Sequence, residues 1–163
     1  MRPIQIVALA VCLAPAIAAA QPLALDSADA RAVAQLMAAF DETGSGRGAE
    51  VGKKRASLFS DNAVFVNAFG VRREGKDSIG AFWMLVYTSG SFATSTIERL
   101  DRQQRVIGPG LVLVDHVERI TGQRNPETGR EMPPRTAHLT LLLQRQAPGD
   151  WRIVYYRAGD VRT

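Results

Sequence analysis

His116 and His138 are the only two histidines in the chain. Imidazole titrates near neutral pH, so a histidine beside a second polar group is a ready acid–base catalyst. Around His116 the residues alternate as a strand does. Val112, Val114, His116, Glu118 and Ile120 fall on one face, and Leu111, Leu113, Asp115, Val117 and Arg119 on the other. In the next such run Thr136, His138, Thr140 and Leu142 share a face. Paired with both histidines on one face, the two strands would carry a candidate acid–base pair; otherwise both are surface or interface histidines on the outer side. Two histidines with Glu118 or Asp115 would offer donors that metals accept. Neither HxH nor HExxH spacing occurs, so no metal site is assigned. Asp160 is either a catalytic carboxylate at the mouth of a pocket or a solvated residue near the last strand's end. His116, His138 and Asp160 are the catalytic candidates.

A second set is aromatic with a few polar atoms. Asn67 stands between Phe65 and Phe69. An amide on an apolar strand is costly to bury unless something bonds it, and the partner is either a ligand or the backbone of the following turn. Trp83 and Tyr87 lie one helical turn apart, as pocket caps or as a core face. Tyr155 and Tyr156 point to opposite sides of a strand, so one of them faces inward. With Tyr155 as the inward one, the candidate ligand-binding residues are Phe40, Phe65, Asn67, Trp83 and Tyr155. No GxSxG, phosphate loop or dinucleotide fingerprint occurs, and no cofactor is expected.

These residues sit in a chain that reads as exported. Arg2 is the only charge before Asp26, Ile4 to Ile17 is largely apolar, and Ala18-Ala19-Ala20 supplies small residues for cleavage. That is the pattern of a secretory signal peptide over 1–20, cut before Gln21. It predicts a periplasmic or secreted protein with no membrane attachment after cleavage. The sole cysteine, Cys12, leaves with it, so the domain 21–163 has no disulfide, thiol nucleophile or cysteine metal site. The net charge is +4. Its clusters, Lys53-Lys54-Arg55 and Arg72-Arg73, are not interleaved with aromatic residues as in a single-strand-binding groove. They read as solvated faces, and no nucleic-acid partner is expected.

The elements that must position the candidates follow from periodicity. Asp26 or Ser27 caps a helix with Val33, Leu36, Met37 and Phe40 on one face. Gly44, Gly46 and Gly48 end it. A short helix over Glu50 to Phe59 is weakened by Gly52, and Val64 to Phe69 is a strand closed by Gly70. Asp77 to Tyr87 is a third helix, with Ile79, Phe82, Trp83 and Val86 on one face. Four β-runs follow: Ser91 to Leu100, with Gln104 to Ile107 either extending it or beginning a turn at Gly108-Pro109-Gly110; Leu111 to Thr121; Arg135 to Gln146; and Trp151 to Asp160. Helices first and antiparallel strands after predict an α+β domain, its curved antiparallel sheet wrapped around three N-terminal helices as a cone with an internal pocket.

LMAAF, LFSDNAVFVNAFG, EGKDSIGAFW and WRIVYYRAGD, in this order, resemble the nuclear transport factor 2-like superfamily of cystatin-like cones. Within it the chain is most similar to SnoaL-like and SgcJ/EcaC-type small proteins, over essentially the whole of 21–163. The resemblance implies a curved sheet, an apolar pocket and dimerisation through the sheet, giving a homodimer. It does not imply one activity. Ketosteroid isomerase on this fold uses an aspartate base and tyrosine and aspartic acid donors. Those positions fall on Asn67, Phe40 and, less securely in register, Thr140, so all three roles are vacant.

The expected function is therefore an exported domain that binds a small, largely apolar molecule. The alternatives are a cofactor-independent SnoaL-like isomerase, cyclase or dehydratase, and an interaction domain that uses the outer sheet face.

Overall fold

Asp26 starts the first helix by accepting hydrogen bonds from the backbone N–H groups of Ala28 and Asp29 at 2.9 and 2.8 Å. Such a cap satisfies donors that the first turn otherwise leaves free. Helix α1 (Ser27–Glu42) buries Val33, Leu36, Met37 and Phe40, the expected stripe. The computed structural model describes residues 23–161; the expected signal peptide, with Cys12, lies outside them. Helix α2 (Ala49–Ser57) and helix α3 (Lys76–Thr88) follow, with strands β1 (Phe59–Val66) and β2 (Arg72–Glu74) between them. Then come β3 (Thr96–Gly108), β4 (Leu111–Thr121), β5 (Arg135–Ala147) and β6 (Asp150–Asp160). Among the described residues no helix is long and apolar enough to cross a membrane.

The fold is α+β: three helices pack against one open six-stranded sheet of order β2-β1-β6-β5-β4-β3. The sheet is mixed where a wholly antiparallel one was expected, because β1 pairs with β6 in parallel. A parallel pair needs a long connection, and here β2, α3 and β3 to β5 all lie between the partners. The Ser91–Leu100 strand is also displaced. Ser91 to Thr94 turn after α3, and β3 runs unbroken for 13 residues to Gly108. Irregular register in β3 and between β5 and β6 adds local bends to these long strands.

One face of the sheet is filled by Val112, Val114, Ile120, Leu139, Leu141, Leu143 and Ile153, all nearly inaccessible. Helices α1 and α3 cover it with Phe40, Ile79, Trp83 and Tyr87. Asp29 ties α1 to the β5–β6 end. Its buried carboxylate accepts from Trp151 Nε1 at 2.9 Å and Arg145 Nη1 at 2.8 Å. Gly52, expected to weaken α2, instead lets α2 approach α3: a Cβ there would stand 3.1 Å from the Met84 Cα.

Candidate functional site

Strand β4 carries the centre of the site. Its inward residues are Val112, Val114, His116, Glu118 and Ile120, as the alternation predicts. His116 pairs across the sheet with Leu139, and Val117 with His138. Residues directly opposite share a face, so the two histidines point to opposite sides. Neither alternative holds whole: the inward histidine pair does not form, and only His138 is on the outer face. His116 is buried and lines a cavity of about 550 Å³ between helices and sheet. His138 is exposed on the convex side, 3.9 Å from Asp115. Asp115 also accepts from Thr140 and Arg105, at 3.1 and 3.3 Å.

A chain of charges holds the His116 ring. Arg102 Nε and Nη2 lie 3.2 and 2.8 Å from its Nδ1. Arginine only donates, so Nδ1 presents its lone pair, and the hydrogen of the neutral ring sits on Nε2. The Arg102 guanidinium in turn grips both carboxylate oxygens of Asp41, which also binds Arg99 at 3.0 Å. Two parallel bonds of this kind fix orientation as well as adding attraction. Nε2 lies 3.3 Å from Glu118 Oε2, off the line of a hydrogen bond, and has no hydrogen-bond partner. An imidazole N–H and a carboxylate therefore stand side by side, both buried, on the cavity wall.

The aromatic wall is built from four elements, α1, β1, α3 and β6. Phe40 comes from α1, Phe65 from β1, and Phe82, Trp83 and Tyr87 from α3. Tyr156 stacks on Phe65 with ring centres 4.8 Å apart. Tyr156, not Tyr155, is thus the inward tyrosine. Tyr155 lies opposite Leu142 on the half-buried convex side and does not line the cavity. Val154 is left out of the β5–β6 register, and this bulge sets which of the two turns inward. Burial pushes the Tyr156 phenol up; Arg55 opposes this and Glu118 reinforces it. The Tyr87 phenol is raised for the same leading reason, and its hydroxyl donates to the Thr43 carbonyl.

Asn67 lines the cavity at the end of β1. Its side-chain oxygen accepts from the backbone N–H of Phe69 and Val71 at 3.0 and 2.9 Å, so the turn backbone is its partner. Asp160 is exposed and ion-paired with Arg135, and is not part of the cavity wall. Arg135 also donates to Gln123 Oε1 at 3.1 and 3.0 Å and lies 5.1 Å from the Phe69 ring centre. The position compared with the isomerase's second acid, Thr140, faces outward to Asp115. Among the described residues no three His, Asp or Glu side chains gather to hold a metal ion.

Arg55 corrects the reading of Lys53-Lys54-Arg55 as a solvated face. It is 4% exposed, and its Nη1 donates to the Phe40 carbonyl and, at 3.2 Å, to Thr43 Oγ1. Its guanidinium carbon lies 3.5 Å from the Phe40 ring centre and 5.1 Å from that of Trp83. The sequence held a signal for this: Arg55 follows Gly52 by three residues, on the stripe of α2 that is buried.

The fold matches those of solved structures closely enough to compare. A cystatin-like protein from Caulobacter vibrioides superposes with a TM-score of 0.68 and 24% identity, over 82% of this chain and 90% of that one. A ketosteroid isomerase-like protein from Erwinia carotovora atroseptica gives 0.60 and 16%, over 84% and 96%. An NTF2-like protein from Pseudomonas putida gives 0.62 and 17%, over 82% and 86%. No protein-family model matches the sequence, and no curated protein matches it. The chain has the cystatin-like fold that these structures share.

Proposed function

We propose that this chain is an exported cone-fold protein that binds a small, largely apolar molecule in the cavity between its helices and sheet. The observation that carries this reading is the cavity itself: about 550 Å³, walled by aromatic rings, with His116 and Glu118 among them. A concave, mostly apolar site with a few directed polar groups is what small-molecule recognition requires. The aromatic rings supply apolar area and the polar pair supplies orientation. Half-buried Leu113, Val117, Leu142 and Tyr155 on the convex face support pairing of two copies there. A ligand held at one hundred times its dissociation constant raises stability by about 2.7 kcal/mol. A broad panel of apolar molecules should therefore contain members that raise the melting temperature. A panel that moves neither melting nor tryptophan fluorescence rejects the reading.

The second reading is a cofactor-independent enzyme of proton transfer, an isomerase, cyclase or dehydratase. It is favoured by the 3.3 Å approach of His116 Nε2 to Glu118 Oε2 inside an apolar cavity. Glu118 would accept the substrate proton while the His116 Nε2–H stabilises oxygen. Positioned groups of this kind contribute roughly 10²- to 10⁴-fold. A turnover found by substrate screening should fall by that order in Glu118→Gln, and an unchanged rate in that variant removes the pair from the mechanism.

A further inference from the structure

Besides His116 Nε2, two buried donors beside the cavity are left unanswered by the protein. Arg55 Nε and Trp83 Nε1 are buried without a hydrogen-bond partner, and both side chains line the cavity. The residues are 4% and 6% exposed. They are neighbours, the guanidinium carbon lying 5.1 Å from the indole ring centre. A buried N–H without an acceptor is costly, and a buried charge without a counter-charge more so. Arg55 has no carboxylate within ion-pair distance among the described residues. Its Nη1 is used on neutral oxygens at the C-terminal end of helix α1, which offsets only part of its charge. The Nε–H remains unpartnered, as does the Nε1–H of the neighbouring Trp83. Both donate and neither accepts, so the group that satisfies them is an acceptor, and the guanidinium favours a negative one.

The wider lining agrees in sign. Arg73 and Arg99 are exposed at its edge and Arg135 is half-buried. With Arg55 they outnumber the acids of the lining, Asp41, Glu118 and Glu127. Asp41 is already held by Arg99 and Arg102. Arg99 and Arg135 are ion-paired with Asp41 and Asp160, so the positive excess that would draw anions toward the opening is small. Glu118 stands with His116, outside ion-pair distance of Arg55, so a bound anion has to lie at the Arg55–Trp83 side.

We propose that the cavity takes an aromatic or otherwise apolar small molecule bearing one carboxylate, anchored by Arg55 Nε–H and Trp83 Nε1–H. The proposal rests on the cavity being a small-molecule site and adds the chemical class of the ligand. The test is calorimetric titration with three aryl carboxylates, 2-naphthoate, indole-3-acetate and 4-biphenylcarboxylate, each against its primary amide. At least one acid should bind about tenfold or more tighter than its amide, as expected for a hydrogen bond to a charged group. Trp83→Phe keeps a ring and removes the N–H, and should cut that ratio several-fold. Arg55→Gln should abolish it. If Arg55→Gln does not fold, Trp83→Phe, checked by its melting curve, decides alone. Equal binding of acids and amides overturns the carboxylate while leaving the cavity a ligand site. An undiminished ratio in Trp83→Phe overturns the anchor. Absence of binding by all six compounds overturns the proposal, and the broad panel then decides the reading beneath it separately.

Discussion

His116 and His138 stand on adjacent strands, each near a carboxylate, yet they occupy opposite environments. The His116 side chain is 2% exposed, its ring orientation set by Arg102 and its free nitrogen 3.3 Å from Glu118. The His138 side chain is 54% exposed, 3.9 Å from an Asp115 that Arg105 also approaches. The two differ by one step of strand register. Because side chains alternate, that step moves a residue from the core to solvent. In water the outer pair is screened and worth little. Inside, the same two chemical groups are desolvated and directed at whatever enters the cavity.

The contrast between inner and outer faces can be broken most severely at the aromatic wall. Phe65→Ala removes a fully buried ring that touches Tyr156, Phe82 and Trp83. It should cost about 3–5 kcal/mol, whereas Tyr155→Ala on the outer face should cost less than half of that. Urea unfolding of the two variants measures the difference, and equal losses would undo the assignment of faces. Next is the turn that closes β1. Asn67→Ala strips two backbone N–H groups of their acceptor and should cost about 1–2 kcal/mol, read by the same unfolding curves.

Smaller effects sharpen the comparison between the histidines. His116→Gln should weaken binding of a cavity ligand by about tenfold, the worth of one well-placed hydrogen bond. His138→Gln should leave affinity unchanged and alter stability by about 0.5 kcal/mol or less. Titration calorimetry checks the first and thermal melting the second. The smallest effect at ordinary pH is that of the buried phenols. The folded chain holds the protons of Tyr156 and Tyr87 more tightly than the unfolded chain does. Their contribution is whole below about pH 10 and declines as pH rises beyond it. Tyr156→Phe should flatten the alkaline loss of stability, measured as the midpoint of urea unfolding against pH. A slope unchanged from the parent would show that this phenol is not protected.

Much of this was legible in the residues. Apolar spacing of 3, 4 and 7 in Val33, Leu36, Met37 and Phe40 marks helix α1, and Leu111 to Thr121 matches β4 end for end. The aromatic members of the wall, Phe40, Phe65 and Trp83, came from the same patterns. Even the outward turn of His138 left a trace, since Ala137, Leu139, Leu141 and Leu143 form the more apolar alternate set on β5. Leu142 inside that run blurred it.

What periodicity determines is local: which residues alternate together within one strand or share one stripe of one helix. Where both alternate sets are apolar, as Leu142 makes them in β5, it leaves the phase between two strands open, which is why the meeting of β4 and β5 had to come from the folded sheet. The bulge that turns Tyr156 inward, the parallel pairing of β1 with β6, and the descent of Arg55 from a basic run into the core are likewise settled by distant partners. Each depends on contacts between segments far apart in sequence. Sequence alone set the three helices, four of the six strands in outline, their order and their apolar faces, while the short β2, the bounds of β3 and the polar atoms that meet in the cavity were decided by tertiary packing.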